Sequence, residues 1–128
     1  METKAINLKF EGAFHVDEGF YYFRDLKGSL LVGGGRNVDF EGENTFEEGI
    51  SEKIRNSIRE ITSNILNGQS FEEEMWWSGI MGFGKEKTPI VKKKEAHIWI
   101  AARLSGMGVA LASQIASELS DEVLKEMT

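Results

Sequence analysis

Cysteine is absent from the 128-residue chain. That excludes disulfides, thiolate nucleophiles and Cys-based zinc sites, and it fits a cytoplasmic protein. Histidine is scarce: His15 and His97 stand too far apart in sequence to make a metal motif, so no metal site is expected. There is one proline and no low-complexity run or internal repeat, a globular composition. No apolar run approaches the ~20 residues that a bilayer-spanning helix needs, and no signal-peptide pattern opens the chain. Excess positive charge is lacking too. A formal net charge of -6 argues against a nucleic-acid partner. The one basic stretch, KEKTPIVKKK (85–94), reads as a solvated loop and strand edge.

What is present suits a single domain over residues 1–128, long enough to bury a core. Ile6, Leu8 and Phe10 alternate with polar or small neighbours as a first strand, closed by Glu11-Gly12. Ala13 to Val16 makes a second, ended by Asp17-Glu18-Gly19. FYYFR (20–24) and SLLVG (29–33) are two strong β runs with a hairpin-length connection. The triple glycine 33–35 that follows points to a bulge or a close backbone approach.

After a polar loop, Ser51 is placed to N-cap a helix whose Ile54, Ile58, Ile61 and Ile65 share one face, with Asn67-Gly68 ending it. FEEEMWW (71–77) reads as a strand with Phe71, Met75 and Trp77 on one side. His97 to Ala101 is apolar on both faces, the pattern of a central strand. From Gly108 onward, Val109, Ala112, Ile115, Ala116, Leu119 and Val123 form a helical stripe. The expected order is four strands, helix, three strands, helix. That is an α+β fold with a largely antiparallel sheet and two main helices, one after the fourth strand and one at the C-terminus.

Two nucleotide motifs nearly match and fail on context. GIMGFGKE (79–86) has the G-x-x-x-x-G-K skeleton of a phosphate loop, but Glu86 stands where the metal-binding Ser or Thr belongs and Pro89 stops the helix. Gly106-x-Gly108 begins a dinucleotide fingerprint in which Leu111 replaces the third glycine. The stretch RLSGMGVALASQIA (103–116) nevertheless carries no acidic residue at its helix start, where Asp and Glu usually complement the dipole. Such an end suits an anion or an electron-rich carbonyl, or is a plain strand-to-helix turn with glycines for tight packing.

Taken together, FHVDEGFYYFRDLKGSLLVGGGRN (14–37), the helix from Ser51, MWWSGIMGFGKEKTPIV (75–91) and IWIAARLSGMGVALASQIASEL (98–119) resemble one family. They match, in order and spacing, the C-terminal part of the FAD-dependent oxidoreductases related to D-amino acid oxidase, glycine oxidase and sarcosine oxidase. The resemblance implies that Ser105, Gly106, Met107, Gly108 and Val109 lie against the pyrimidine side of the isoalloxazine, with Gly79 and Ile80 edging the ring. It places Tyr22, Gly34 and Met81 at the border of the substrate pocket, beside an amine or amino acid substrate. Where the amino acid oxidases hold a carboxylate-gripping arginine, this chain has Met81, leaving Arg24, Arg36 or Arg103 to supply a cation. The chemistry implied is hydride transfer to the flavin, and no catalytic base is identifiable.

The family's N-terminal Rossmann part has no counterpart in these residues. The implied role is therefore that of a substrate and flavin-capping part, inactive alone and not itself retaining FAD. Two alternatives are a stand-alone binding or oligomerisation module and a subunit of a split oxidase. In the first, apolar surface around Gly79–Phe83 and Gly106–Val109 would be exposed and available for self-association.

Overall fold

The computed structural model describes residues 1–127. The chain divides into two compact units, Met1–Ile80 and Met81–Thr128. The element order is four strands, helix, three strands, helix, an α+β arrangement in which every strand pairing is antiparallel among the described residues.

The first unit is a five-stranded sheet, β1 (Glu2–Thr3), β2 (Ala13–Val16), β3 (Tyr21–Leu26), β4 (Ser29–Gly34) and β5 (Glu73–Met75), in the order β2-β3-β4-β1-β5. The β3–β4 hairpin is tighter than its sequence suggests. Leu26 pairs with Ser29 across a two-residue turn, and Lys27 and Gly28 both have positive φ, 51° and 92°. That is the primed geometry matching the twist of paired strands.

Side chains alternate across β3 and β4. Phe23 faces Val32 on one side of the sheet, and Tyr22 faces Gly33 on the other. The first side is the core. Leu30 and Val32 are essentially inaccessible and pack with Met1, Ile54, Ile58 and Leu66. Thr3, equally buried, satisfies its hydroxyl by accepting from the Leu30 N–H at 2.9 Å.

The core is covered by α1 (Glu52–Ile65), which presents Ile54, Ile58 and the fully buried Thr62. The Thr62 hydroxyl donates back to the Ile58 carbonyl, so the helix interior holds no orphaned group at that point. Ser51 occupies the N-cap position with extended backbone but makes no side-chain cap bond. At the other end Asn67 N–H donates to Asn64 O and Gly68 N–H to Ser63 O, the paired bonds of a Schellman ending.

Two expectations in this unit are corrected. Ile6, Leu8 and Phe10 do not lie in a strand; β1 is the short Glu2–Thr3 segment, and Ile6 instead donates its N–H to the Gly28 carbonyl. Their alternation survives as burial, since all three pack against the core without joining the ladder. Around β5, Trp76 rather than Trp77 packs inward. Its indole N–H donates to Glu73 Oε2 at 2.8 Å, and Arg55 and Arg59 flank its ring. Met75 and Trp77 stay half-exposed.

The second unit is a β6 (Ile90–Glu95)–β7 (Ile98–Ala102) hairpin against which α2 (Gly108–Met127) packs. His97 to Ala101 is therefore not a central strand among the described residues. β7 has one strand neighbour, β6, and lies at an edge. The inward row of α2 is Leu111, Ile115, Leu119 and Val123, whereas Val109, Ala112 and Ala116 are exposed. A two-stranded hairpin is narrow, so it covers one i, i+4 row of a helix rather than the wider stripe expected. No helix among the described residues is long and apolar enough to cross a membrane.

Candidate functional site

In the first unit the site residues lie on and just beyond the β3–β4 hairpin. Tyr22, 47% exposed, stands on the sheet face opposite the core, paired with Gly33. A Cβ at position 33 would fall 2.4 Å from the tip of the Tyr22 ring, so the phenol lies directly over the bare backbone. At the next residue the chain itself is the neighbour. Gly34 has φ 108°, and a Cβ there would sit 2.0 Å from the Phe20 carbonyl oxygen. Gly35 N–H then donates to that same carbonyl, closing the hairpin end. The close backbone approach expected at the triple glycine is thus present.

Arg36 opens a short 3-10 turn and lies over two rings, 5.7 Å from the Phe20 centroid and 5.4 Å from that of Phe40. The two rings meet edge to face at 5.7 Å. Cation–π attraction of this kind restricts a flexible guanidinium. Phe40 lies close to Arg36 in the chain and could be foreseen as a neighbour, whereas Phe20 reaches it only because the hairpin end brings them together. Arg24 also lies on this hairpin, donating from Nε to the Asp25 carbonyl. Gly79 and the half-exposed Ile80 end the unit.

The second unit holds Met81, Arg103 and the turn 105–109. Three residues before α2 take left-handed backbone, Arg103, Ser105 and Gly106, with φ 60°, 49° and 83°. Met107 N–H donates to Leu104 O, and Ala110 and Leu111 N–H both donate to Met107 O. Gly108 and Val109, the first two helical residues, donate to no acceptor among the described residues, as the geometry of a helix N-terminus dictates. No acidic residue occupies the first turn. The Ser105 hydroxyl beside it is buried and has no hydrogen-bond partner among the described residues. A buried hydroxyl without a partner is rare and calls for a bound group or a water.

At this turn Met81, Met107 and Val109 are all exposed, Val109 completely. Met81 is at the turn itself, its Cε 3.8 Å from where a Cβ on Gly106 would lie. Arg103 faces elsewhere. Its Nε and Nη2 both donate to the Thr88 carbonyl, at 2.8 and 2.6 Å, and Glu86 lies 3.5 Å away. Its stem runs so close to Gly84 that a Cβ there would meet Cδ at 2.3 Å. The side chain therefore anchors the 84–89 loop.

Chemically, the turn offers two N–H donors without an acceptor among the described residues at the positive end of a helix, one buried unpartnered hydroxyl and apolar neighbours. That set suits a planar, electron-rich group with a carbonyl edge. Among the described residues no group of three or more His, Cys, Asp or Glu could hold a metal ion. A family model described as FAD dependent oxidoreductase matches residues 3–122. No curated protein and no solved structure matches the chain.

Proposed function

The chain belongs to the family of FAD dependent oxidoreductases, and on that premise we propose that it forms the substrate- and flavin-facing part of an enzyme that oxidises an amine or amino acid. The observation that carries the reading is the turn at the start of α2, with its open Gly108 and Val109 N–H groups, unpartnered Ser105 hydroxyl and acid-free first turn. These residues fit the pyrimidine edge of an isoalloxazine. When bound, FAD accepts the hydride that the substrate loses.

The Gly108 and Val109 N–H groups would donate to the carbonyl edge of a bound flavin, and the helix dipole would reinforce them in stabilising negative charge there. A carboxylate in that first turn would oppose the same charge. Ser105 and Gly106 shape the turn through their left-handed backbone, and the exposed Met81, Met107 and Val109 would shield a bound ring edge from water.

Tyr22, Gly34 and Arg36 border the substrate, with Tyr22 as a polar-tipped wall. Arg103 is committed to the Thr88 carbonyl. We assign the cation for a substrate carboxylate to Arg36, in the turn directly after Gly34, rather than to Arg24, which pairs with Leu31 farther along the hairpin. All strand pairing among the described residues is antiparallel. A dinucleotide diphosphate is cradled by a parallel βαβ unit, and we propose that a Rossmann part supplies it and that residues 1–128 by themselves retain no FAD.

The test is reconstitution. The purified chain should emerge from gel filtration without flavin, and co-expression with a Rossmann-type FAD-binding chain should yield a yellow complex. Val109→Pro removes one N–H in the first helical turn, where proline is tolerated. It should leave the complex assembled and make the flavin reduction potential more negative. Stoichiometric FAD carried by the chain alone overturns the division of labour, and an unchanged potential overturns the role of the turn.

A further inference from the structure

Helix α1 ends on Asn67-Gly68, a pair with chemistry of its own. Of the chain's six asparagines only Asn67 is followed by glycine. An asparagine side chain can close a five-membered imide with the backbone nitrogen of the next residue, and a residue without a Cβ leaves that nitrogen unhindered. Both residues are exposed, and nothing stands within 4 Å of where a Cβ on Gly68 would lie, so water and base have access. The helix ending restrains the same pair. Asn67 and Gly68 have φ 52° and 77°, and the Gly68 N–H donates to the Ser63 carbonyl at 2.9 Å. While that bond stands, the nitrogen keeps its proton and is held against the last turn of α1, so ring closure requires the turn to open. Local opening costs least at fraying ends and exposed segments.

We propose that Asn67-Gly68 is a covalent modification site at which the chain deamidates itself, gated by opening of the last turn of α1. In the opened turn the deprotonated Gly68 nitrogen attacks Asn67 Cγ. The N–Cγ bond forms, the Cγ–Nδ2 bond breaks, and the side-chain nitrogen leaves as ammonia. Water then adds to one of the two imide carbonyls and opens the ring to aspartate or isoaspartate. No electrons are gained or lost, and water is the sole co-reactant. In isoaspartate the main chain runs through the former side chain and is one methylene longer, so the paired bonds of the Schellman ending no longer fit. Either product also sets a carboxylate at the negative end of the helix, where the dipole opposes it. The site adjoins Leu66, which packs in the core with Leu30 and Val32. Each conversion therefore marks a chain whose helix end has opened and loosens the cover over the β3–β4 hairpin. Nothing in this chemistry depends on the flavin reading.

The test is to incubate the purified chain in mildly alkaline buffer across a urea series and digest samples for mass spectrometry. The readout is the amide-to-acid mass change in the peptide holding residue 67, with isoaspartate scored by labelling with an isoaspartyl methyltransferase. Asn67 should convert ahead of the other five asparagines. Its rate in the folded chain should be at least about tenfold below that in the urea-unfolded chain and should climb with urea before the global transition. Leu66→Ala loosens the turn without altering the pair and should raise the rate in the absence of urea; if that variant does not fold, the urea series on the parent decides. The converted chain, separated by anion exchange, should show a lower urea midpoint. Equal rates in the folded and unfolded chain overturn the gate, as does a folded-state rate that stays flat until global unfolding. Conversion of another asparagine as fast as Asn67 overturns the site.

Discussion

Adjacent glycines at the end of β4 face different neighbours, and substitution should separate them. At Gly34 the obstacle is the Phe20 carbonyl, 2.0 Å from a new Cβ, and φ of 108° is unfavourable for any L side chain. Neither can relax without moving the hairpin. Gly34→Ala should cost more than about 3 kcal/mol, read as a lowered denaturation midpoint. At Gly33 the obstacle is the far end of the Tyr22 side chain, which swings on its own torsions. Gly33→Ala should stay within about 1 kcal/mol of the parent while displacing the ring, seen as a change in tyrosine fluorescence or near-ultraviolet dichroism. Equal destabilisation by the two would contradict this account of the hairpin end.

Between elements, β5 is tied to α1 by Glu73, which takes Arg59 Nε at 2.6 Å and Nη2 at 3.2 Å while accepting from Trp76. The Arg59 guanidinium beside it, helped by the Trp76 bond, holds the Glu73 carboxyl below the ordinary glutamate range. A carboxylate with a lowered folded-state pKa contributes stability above its unfolded value and loses it as pH falls through the folded one. Glu73→Gln should therefore be less stable than the parent near neutrality and converge with it as pH falls through and below the ordinary glutamate range, measured by urea midpoints at successive pH values. Parallel pH curves for the two would remove Glu73 from the acid response.

Element type and order were legible in the sequence because they rest on local periodicity: the isoleucine face of α1, the paired runs of β3 and β4, and the Asn67-Gly68 ending. Pairing partners were less so. Ile6, Leu8 and Phe10 bury as a strand would without joining one, since alternation records burial and not hydrogen bonds. Trp76 and Trp77 exchanged roles because an indole hydrogen bond to Glu73 decided which ring turned inward. At the α2 turn the acid-free start was readable from charge and the unusual backbone of Gly106 from glycine, whereas left-handed Arg103 and Ser105 carry no such mark. The anchoring of Arg103 to Thr88 was not readable either, because a backbone carbonyl acceptor leaves no mark in residue identity.

Across the whole molecule the two units differ in how firmly their helices are held. α1 buries Ile54, Ile58 and Thr62 against a core that continues through Leu30 and Val32. α2 buries only Ile115 to a comparable degree along its 20 residues. Few enclosed apolar groups mean a low free energy of local opening. In native-state hydrogen exchange, α2 amides should open at lower denaturant than those of α1, and coincident opening would show that the chain unfolds as one cooperative body.

The bond from Arg103 to the Thr88 carbonyl has a consequence for how the protein tolerates change. It staples the loop before β6 to the residue just after β7, a few positions short of the helix start. The loop is thereby converted from a passive connection into a spacer of set length. Insertions near Gly84 or Thr88 would propagate to the attitude of the turn and be selected against like alterations of the turn itself, whereas the polar loop ahead of α1 has no such tether from Arg103 and should absorb them freely.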